Sequence, residues 1–338
     1  MTLYIHQSTI KAWRRCHRLY HYRYVEKIQQ RVKRIQLMRG TIIGQCLDLV
    51  ALEREKINTP GSWRGILSRY GKQYAKLFDE EKEYYGDLLG DIENIVSRYI
   101  KLYEKDGLKY WTSSKVTTPY ELPIEIDLSP GVVFRGHIDK MPRDKQSRYW
   151  VMDHKSHKKI PEAEKRFNDL QLVFYFWAAP LAGYPKPSGV LWDYLRTKIP
   201  TKPEILKSGE LSQRKDIDTD YETYYQEIVK HGLDPAKYHD LLSRLKSEGQ
   251  IKFFQRVFLP GPSKALVKEI VNDAKITAQE IKHLAGKSKT RTMDNNCPQC
   301  EFYKLCTAEL RGLDSDFIRK SEYVEAEDRW EKDDGEES

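Results

Sequence analysis

A chain of 338 residues with 39% hydrophobic content and a net charge of +8 can bury a sizeable core, as one large domain or one core with helical additions. That balance excludes a low-complexity or disordered chain. No apolar run approaches a membrane span and no apolar signal core opens the sequence, so a cytosolic (or host-cytosolic) protein with no membrane partner is expected.

In chain order, residues 1–40 carry ten Lys/Arg against a single acid, Glu26, interleaved with Trp13, Tyr20, Tyr22 and Tyr24. Aromatics at helical spacing pack inward, while basic side chains meet phosphates and aromatic faces stack on unpaired bases. Arg14, Arg15, Arg18 and Arg23 are therefore the candidate track for DNA. Residues 61–109 read as tyrosine-rich helices with charged faces. Glu121-Leu122-Pro123-Ile124-Glu125-Ile126-Asp127 alternates acid with apolar residues and is followed by a Pro130-Gly131 turn. Val132 to Asp139 and, past a polar turn, Arg148 to Asp153 complete a meander of three predicted strands with acids at their ends. A helix over 165–179, stopped by Pro180, and a strand over 188–196 follow. Residues 200–263 hold mixed charge with a helix over 221–230, and 264–284 form one more helix. Residues 322–338 carry nine acids against two basic residues, a disordered acidic tail. No repeat, P-loop or helicase motif occurs, so any ATP-driven unwinding must come from another protein.

Three stretches concentrate the chemistry: Gly136-His137-Ile138-Asp139, Val151-Met152-Asp153-His154-Lys155 and Gln171-Leu172-Val173-Phe174-Tyr175. Two carboxylates on neighbouring strand ends can hold a divalent cation, and hard oxygen donors suit Mg2+ or Mn2+ better than Zn2+. Alternation puts Asp153 and Lys155 on one strand face with His154 pointing away. A lysine beside a metal can position or deprotonate water, which completes the parts needed to hydrolyse a phosphodiester. Asp-x-Lys alone is common by chance; the ordered set carries the reading. Gln171 and Tyr175, one turn apart, share a helix face.

The ordered set resembles the PD-(D/E)xK nuclease superfamily and, within it, the RecB-like branch that includes CRISPR-associated RecB-type exonucleases and the AddB nuclease domain. The resemblance implies an α/β restriction-endonuclease-like core: a small mixed sheet flanked by helices, with core motifs at about 36–55 and 119–197. Helical additions would span 61–110 and 200–290, with the domain at 1–320 and the tail at 321–338. It implies catalytic roles for Asp139, Asp153, Lys155, Gln171 and Tyr175, and metal ligation by Asp139, Asp153 and the His154 main-chain carbonyl. It further implies a Mg2+- or Mn2+-dependent deoxyribonuclease, an exonuclease more than an endonuclease. Its substrate would be single-stranded DNA or DNA with free ends, in recombination, repair or phage DNA metabolism, with a helicase or recombination protein as partner. The alternative is a catalytically silent DNA-binding scaffold. Many RecB-like members carry a helix histidine after Arg-Gly-Thr, whereas here Arg39-Gly40-Thr41 leads to Gly44-Gln45. Either Gln45, Asp48 or Glu121/Glu125 takes that place, or one metal position is weakened.

The cysteines give a second signal. Cys297, Cys300 and Cys306 form a C-x2-C-x5-C cluster, and the resemblance supplies Cys16 as fourth ligand of a [4Fe–4S] staple joining the two chain ends. A four-thiolate Zn2+ site is the competing reading. Cys46, in an apolar stretch, reads as a buried small hydrophobe.

Overall fold

The computed structural model describes residues 2–57, 61–113, 118–162, 171–248 and 252–326. Strand β1 (Leu3–Ile5) leads into α1 (Gln7–Arg15), whose last turn carries Arg14 and Arg15 at the negative end of the helix. α2 (His17–Tyr20) and one π-helical turn (His21–Val25) continue to β2 (Ile28–Gln30). The helical lobe comes next: α3 (Ile35–Arg54), α4 (Trp63–Tyr74), α5 (Asp79–Tyr85) and α6 (Leu88–Tyr103). Asp87 starts α6 by accepting the Gly90 N–H. Ile42, Leu47, Ile92 and Val96 close this lobe around its own core.

After β3 (Lys109–Tyr110), strands β4 (Leu122–Ser129) and β5 (Val132–Ile138) form an antiparallel hairpin. Its turn needs Gly131, at φ 69°. Buried and exposed residues alternate along both strands, as the apolar spacing of the sequence dictates. β6 (Pro142–Arg143) and β7 (Trp150–His157) follow, then α7 (Gln171–Leu181) and β8 (Gly189–Arg196), which pairs parallel to β7. α8 (Tyr221–Lys230) and α9 (His239–Glu248) pack on each other before β9 (Phe254–Pro260) adds antiparallel to β8. α10 (Lys264–Leu284) covers the main core, built on Phe134, Ile138, Val151, Phe174 and Ala278. α11 (Tyr303–Arg311), α12 (Ser315–Glu322) and β10 (Tyr323–Glu325) end the described chain.

The result is a mixed α/β fold of small sheets and many helices. Two three-stranded sheets, ordered β1-β5-β4 and β7-β8-β9, meet through the bridge of Lys140 with Met152. The expected meander is thus a hairpin plus a third strand whose ladder is with β8 and which meets the exit of the hairpin at the Lys140–Met152 bridge and the Asp139–His154 hydrogen bond. α7 runs through Pro180 to Leu181, one residue past the expected stop. In the last turn the missing proline N–H forfeits a single intrahelical bond, so the helix tolerates it. The first part of that predicted helix, 165–170, lies outside the described residues.

Two further expectations shift. α3 is long and apolar enough to cross a membrane, against the reading that no segment is. It instead buries Ile42, Ile43, Leu47, Val50 and Leu52 within the helical lobe, as a core helix does. The segment placed in the acidic tail begins as structure: β10 pairs antiparallel with β2, and Tyr323 stacks on Phe302 in a core that joins the two chain ends.

Candidate active site

Strand β5 delivers the first acid. Its last residue is Ile138, and Asp139 follows as the chain leaves the hairpin. The Asp139 carbonyl accepts the Glu121 N–H at 3.0 Å, holding the entry to β4 beside this strand end. The Asp139 carboxylate reaches β7, where Oδ2 accepts the main-chain N–H of His154 at 2.8 Å.

On β7, Asp153 and Lys155 share a face, as expected. Lys155 Nζ lies 3.0 Å from Oδ1 and 2.8 Å from Oδ2 of Asp153. Asp153 is only 2% exposed. A buried carboxylate needs a positive partner, and the ammonium is that partner here. Gln171, at the start of α7, donates from Nε2 to Asp153 Oδ1 at 3.4 Å. Tyr175, one turn on, bonds with Gln171; burial first, then the charges of Asp139 and Asp153, raise its pKa. The phenol keeps its proton and stays a donor. Gly136 makes room for it, since a Cβ there would come within 3.2 Å of the Tyr175 hydroxyl and ring.

His154 points to the opposite side of β7, as predicted, and its Nδ1 meets Asp193 Oδ2 at 2.8 Å. Asp193 stands opposite His154 on β8 and also accepts from Tyr99 and, at 3.2 Å, from Arg256 Nε. Arg256 bonds the Tyr99 hydroxyl at 2.6 Å and pairs with Asp106, to which Arg54 Nη1 donates at 3.1 Å. This buried network beneath the acids was not foreseen. A charged residue in each of two apolar strands, Trp192-Asp193-Tyr194 and Gln255-Arg256-Val257, was the signal available.

Above the acids lies a cleft of about 800 Å³ lined by Gly44, Gln45, Asp48, Glu121, Asp139 and Lys155 among others. The candidates for the missing histidine separate here. A Cβ built on Gly44 would meet nothing within 4 Å, so this face of α3 is open. Gln45 Oε1 accepts from Arg69 at 2.8 Å, and Asp48 is paired at 2.7 Å with the buried Lys140. Glu125, within β4, pairs with Arg135 at 2.8 Å, whereas Glu121 precedes that strand at φ 47°. Glu121, with its side chain 58% exposed, lines the cleft itself.

Among the described residues no three His, Cys, Asp or Glu side chains stand close enough together to hold an ion unaided. The donor chemistry nonetheless fits a hard divalent cation: two carboxylates meet at adjoining strand ends beside the His154 main chain. Both Asp153 oxygens already face a positive charge.

Cys16, Cys297, Cys300 and Cys306 line one cavity, together with Arg15, Arg18 and Arg291. All four are free thiols. The Asp294 N–H reaches Cys297 Sγ at 3.4 Å, and Arg291 Nε reaches Cys306 Sγ at 3.3 Å. Cys46 lies apart in the helical lobe, where burial pushes its thiol up to about 12.

The four arginines divide. Arg14 and Arg15 are exposed, bonding Thr277 Oγ1 at 2.9 Å and the Asn296 carbonyl at 3.2 Å. Arg18 pairs with Glu309, and Arg23 Nε donates to Glu301 at 2.8 Å. Arg18 and Arg23 therefore tie the N-terminal helices to α11 and the loop before it.

The family model described as the PD-(D/E)XK nuclease superfamily matches residues 5–307 of the chain. No curated protein matches it. Among solved structures, one titled "Crystal structure of SSO0001" aligns with a TM-score of 0.31 and 16% identity, over 79% of this chain and 84% of that chain.

Proposed function

The chain belongs to the PD-(D/E)XK nuclease superfamily, and from that premise we propose that it is a Mg2+- or Mn2+-dependent deoxyribonuclease that removes nucleotides from DNA ends. Metal-dependent phosphodiester hydrolysis comes with the family. DNA as substrate, the choice of metal and the exonuclease mode are our reading. The observation that carries it is the contact of Lys155 with both oxygens of buried Asp153, beside Asp139, at the floor of an open cleft.

Asp139 and Asp153 would hold the cation, with Glu121 the carboxylate best placed to join them and the His154 carbonyl as main-chain ligand. When bound, the cation neutralises phosphate charge and lowers the pKa of water. The chain's own part is positional. With a cation on the Asp153 carboxylate, Lys155 would no longer be held by it; as an ammonium it would orient the attacking water, and only as a neutral amine would it accept the water's proton. Gln171 holds Asp153 from the helix side. Tyr175, kept protonated, donates toward the site and braces Gln171. The buried floor of His154 and Asp193 keeps β7 from shifting under these residues.

The four cysteines share one cavity, and as placed no three of them stand close enough to hold an ion; the metal staple is our reading of that shared lining. We read it as a [4Fe–4S] cluster, with four-thiolate Zn2+ as the competing occupant. With that staple we read the chain as a RecB-like member acting in DNA recombination, repair or phage DNA metabolism, with a helicase or recombination protein supplying unwound ends. A catalytically silent scaffold is disfavoured by the complete set of two acids and lysine.

The test is digestion of end-labelled single- and double-stranded DNA by anaerobically purified protein, with Mg2+, Mn2+ or EDTA. Metal-dependent loss of label as mononucleotides or short fragments, absent in Asp153→Asn, is expected. Equal digestion by Asp153→Asn, or none by the wild type with either metal, refutes the proposal.

A further inference from the structure

The second face of α7 borders a groove that the active site does not use. Gln171 and Tyr175 face the acids, whereas Phe176, Trp177 and Pro180 face away from them toward α10, forming a groove of about 590 Å³. Its opposite wall is a stripe of α10: Lys264, Lys268, Asn272 and Lys275 recur at spacings of four, four and three, one helix face. Lys186, in the loop before β8, adds a fourth ammonium, and Val267 and Val271 form part of the floor. Among the described residues no carboxylate lines the groove. The acids of α10 near this stripe, Glu269 and Asp273, are absent from its lining.

We propose that this groove binds a single strand of nucleic acid, the continuation of the strand engaged at the catalytic cleft; the inference rests on the nuclease reading given above. Three arguments select this occupant. Four cations without a counter-charge form a track for a polyanion, and on α10 they extend for about 16 Å at helical rise. An aromatic wall of Phe176 and Trp177 beside that track offers π-faces on which bases of any sequence can stack. Proximity is the third: only the thickness of α7, about 10 Å, separates the groove from Asp153. At a minimum rise of about 3.4 Å per nucleotide, three nucleotides cover that distance and roughly five more fill the lysine track. A duplex presents phosphates but no exposed base faces, so the aromatic wall favours the single strand.

The experiment measures anisotropy of fluorescein-labelled oligothymidylates of roughly 2 and 20 nucleotides, one below and one above the length needed to reach the lysines. Asp153→Asn is the background, so that no strand is cut. Adding Lys264→Gln, Lys268→Gln and Lys275→Gln should weaken binding of the long strand at least tenfold at low salt. The slope of log affinity against log salt should fall by about 2, at roughly 0.7 per lost phosphate contact on a single strand. The short strand should lose nothing further. Trp177→Ala should weaken the long strand about tenfold, and Trp177→Phe should restore most of that. Because Trp177 also packs against Phe174, the lysine variants, which alter exposed side chains, keep the test independent of folding. Wild-type affinity and slope in the triple lysine variant would overturn the groove while leaving the nuclease reading intact. Failure of the wild type to cut any DNA would sink the nuclease reading, while anisotropy still judges the groove. Displacement of the strand by polyglutamate at equal charge, with no effect of Trp177→Ala, would overturn it in favour of an acidic protein surface.

Discussion

Replacing Asp193 by Ala tests whether the buried network under β7 holds that strand. Asp193 is 0% exposed, accepts from Tyr99 and Arg256, and lies 2.8 Å from His154 Nδ1. Removing it leaves Arg256 almost fully buried with only Asp106 as a counter-charge, and Asp106 is already shared with Arg54. Breaking a buried pair by deleting one partner costs about 3–5 kcal/mol, a large part of a stability of roughly 5–15 kcal/mol. The same pair sets an acid limit. Burial alone would raise the Asp193 pKa, but Arg256, then His154 and Tyr99, outweigh it and hold the carboxyl at about 2, against an ordinary 3.8. A depressed carboxyl stabilises the fold above its unfolded pKa and loses that contribution as pH falls. Some 1.8 units correspond to about 2 kcal/mol, lost between about pH 4 and pH 2. Urea unfolding followed by circular dichroism, at pH 7 and along the acid arm, reads both effects. Cleavage should fall along with stability, since His154 sits between Asp153 and Lys155. A variant within about 1 kcal/mol of wild type at pH 7 would show that the network is not holding β7.

Three further outcomes are expected. Asp139→Asn, Asp153→Asn and Lys155→Met should each lower the cleavage rate by about 10²–10⁴ in single-turnover assays while circular dichroism stays native; wild-type rates in any of them remove that residue from the machinery. Cys16→Ser, Cys297→Ser, Cys300→Ser and Cys306→Ser should each lose the same metal by elemental analysis and lower the melting temperature alike, whereas Cys46→Ala keeps its metal; one zinc and no iron in the anaerobic wild type would replace the cluster reading. Arg14→Gln with Arg15→Gln should reduce DNA affinity and its salt slope without changing the melting temperature, whereas Arg18→Gln with Arg23→Gln should lower the melting temperature; the opposite assignment would make Arg18 and Arg23 the DNA contacts.

The faces of β7 were legible because their information is local. Alternation along Val151-Met152-Asp153-His154-Lys155 is enough to place Asp153 and Lys155 on one face and His154 on the other, and an i, i+4 spacing is enough to align Gln171 with Tyr175. The choice between Glu121 and Glu125 was not legible: alternation would put both on one strand face, but β4 starts at Leu122 and Glu121 precedes it at φ 47°, while Glu125 is paired with Arg135. Arg18 and Arg23 looked like free charge in a basic segment because their acids, Glu309 and Glu301, lie more than 270 residues away. The Asp193–Arg256 pair is hidden for the same reason: each is a lone charge in an apolar strand until β8 and β9 are laid side by side. Local periodicity reveals faces, while the partners of buried charges belong to the topology.

The topology also links the cysteine cavity to the acids. β1 pairs parallel with β5, matching Leu3 with Val132 and Ile5 with Phe134, and β5 ends one residue before Asp139. α1 runs directly from β1 to Cys16, so the element leading to the first cysteine is continuous with the strand that flanks the β4–β5 hairpin. At the other end, β10 pairs with β2, and Arg18–Glu309, Arg23–Glu301 and Arg319–Glu26 bind α11 and its neighbours to the N-terminal segment. A metal on the four thiolates would close a loop of about 280 residues, and loop closure of that length removes much unfolded-state entropy. The ion pairs already clamp this junction, so metal loss should loosen it without unfolding it. Hydrogen exchange after metal removal should rise first in α1, α2 and α11 and then in β1, with β7 and β8 unchanged. Uniform exchange across the chain would mean that the cavity stabilises the whole fold and has no separate connection to the β4–β5 hairpin.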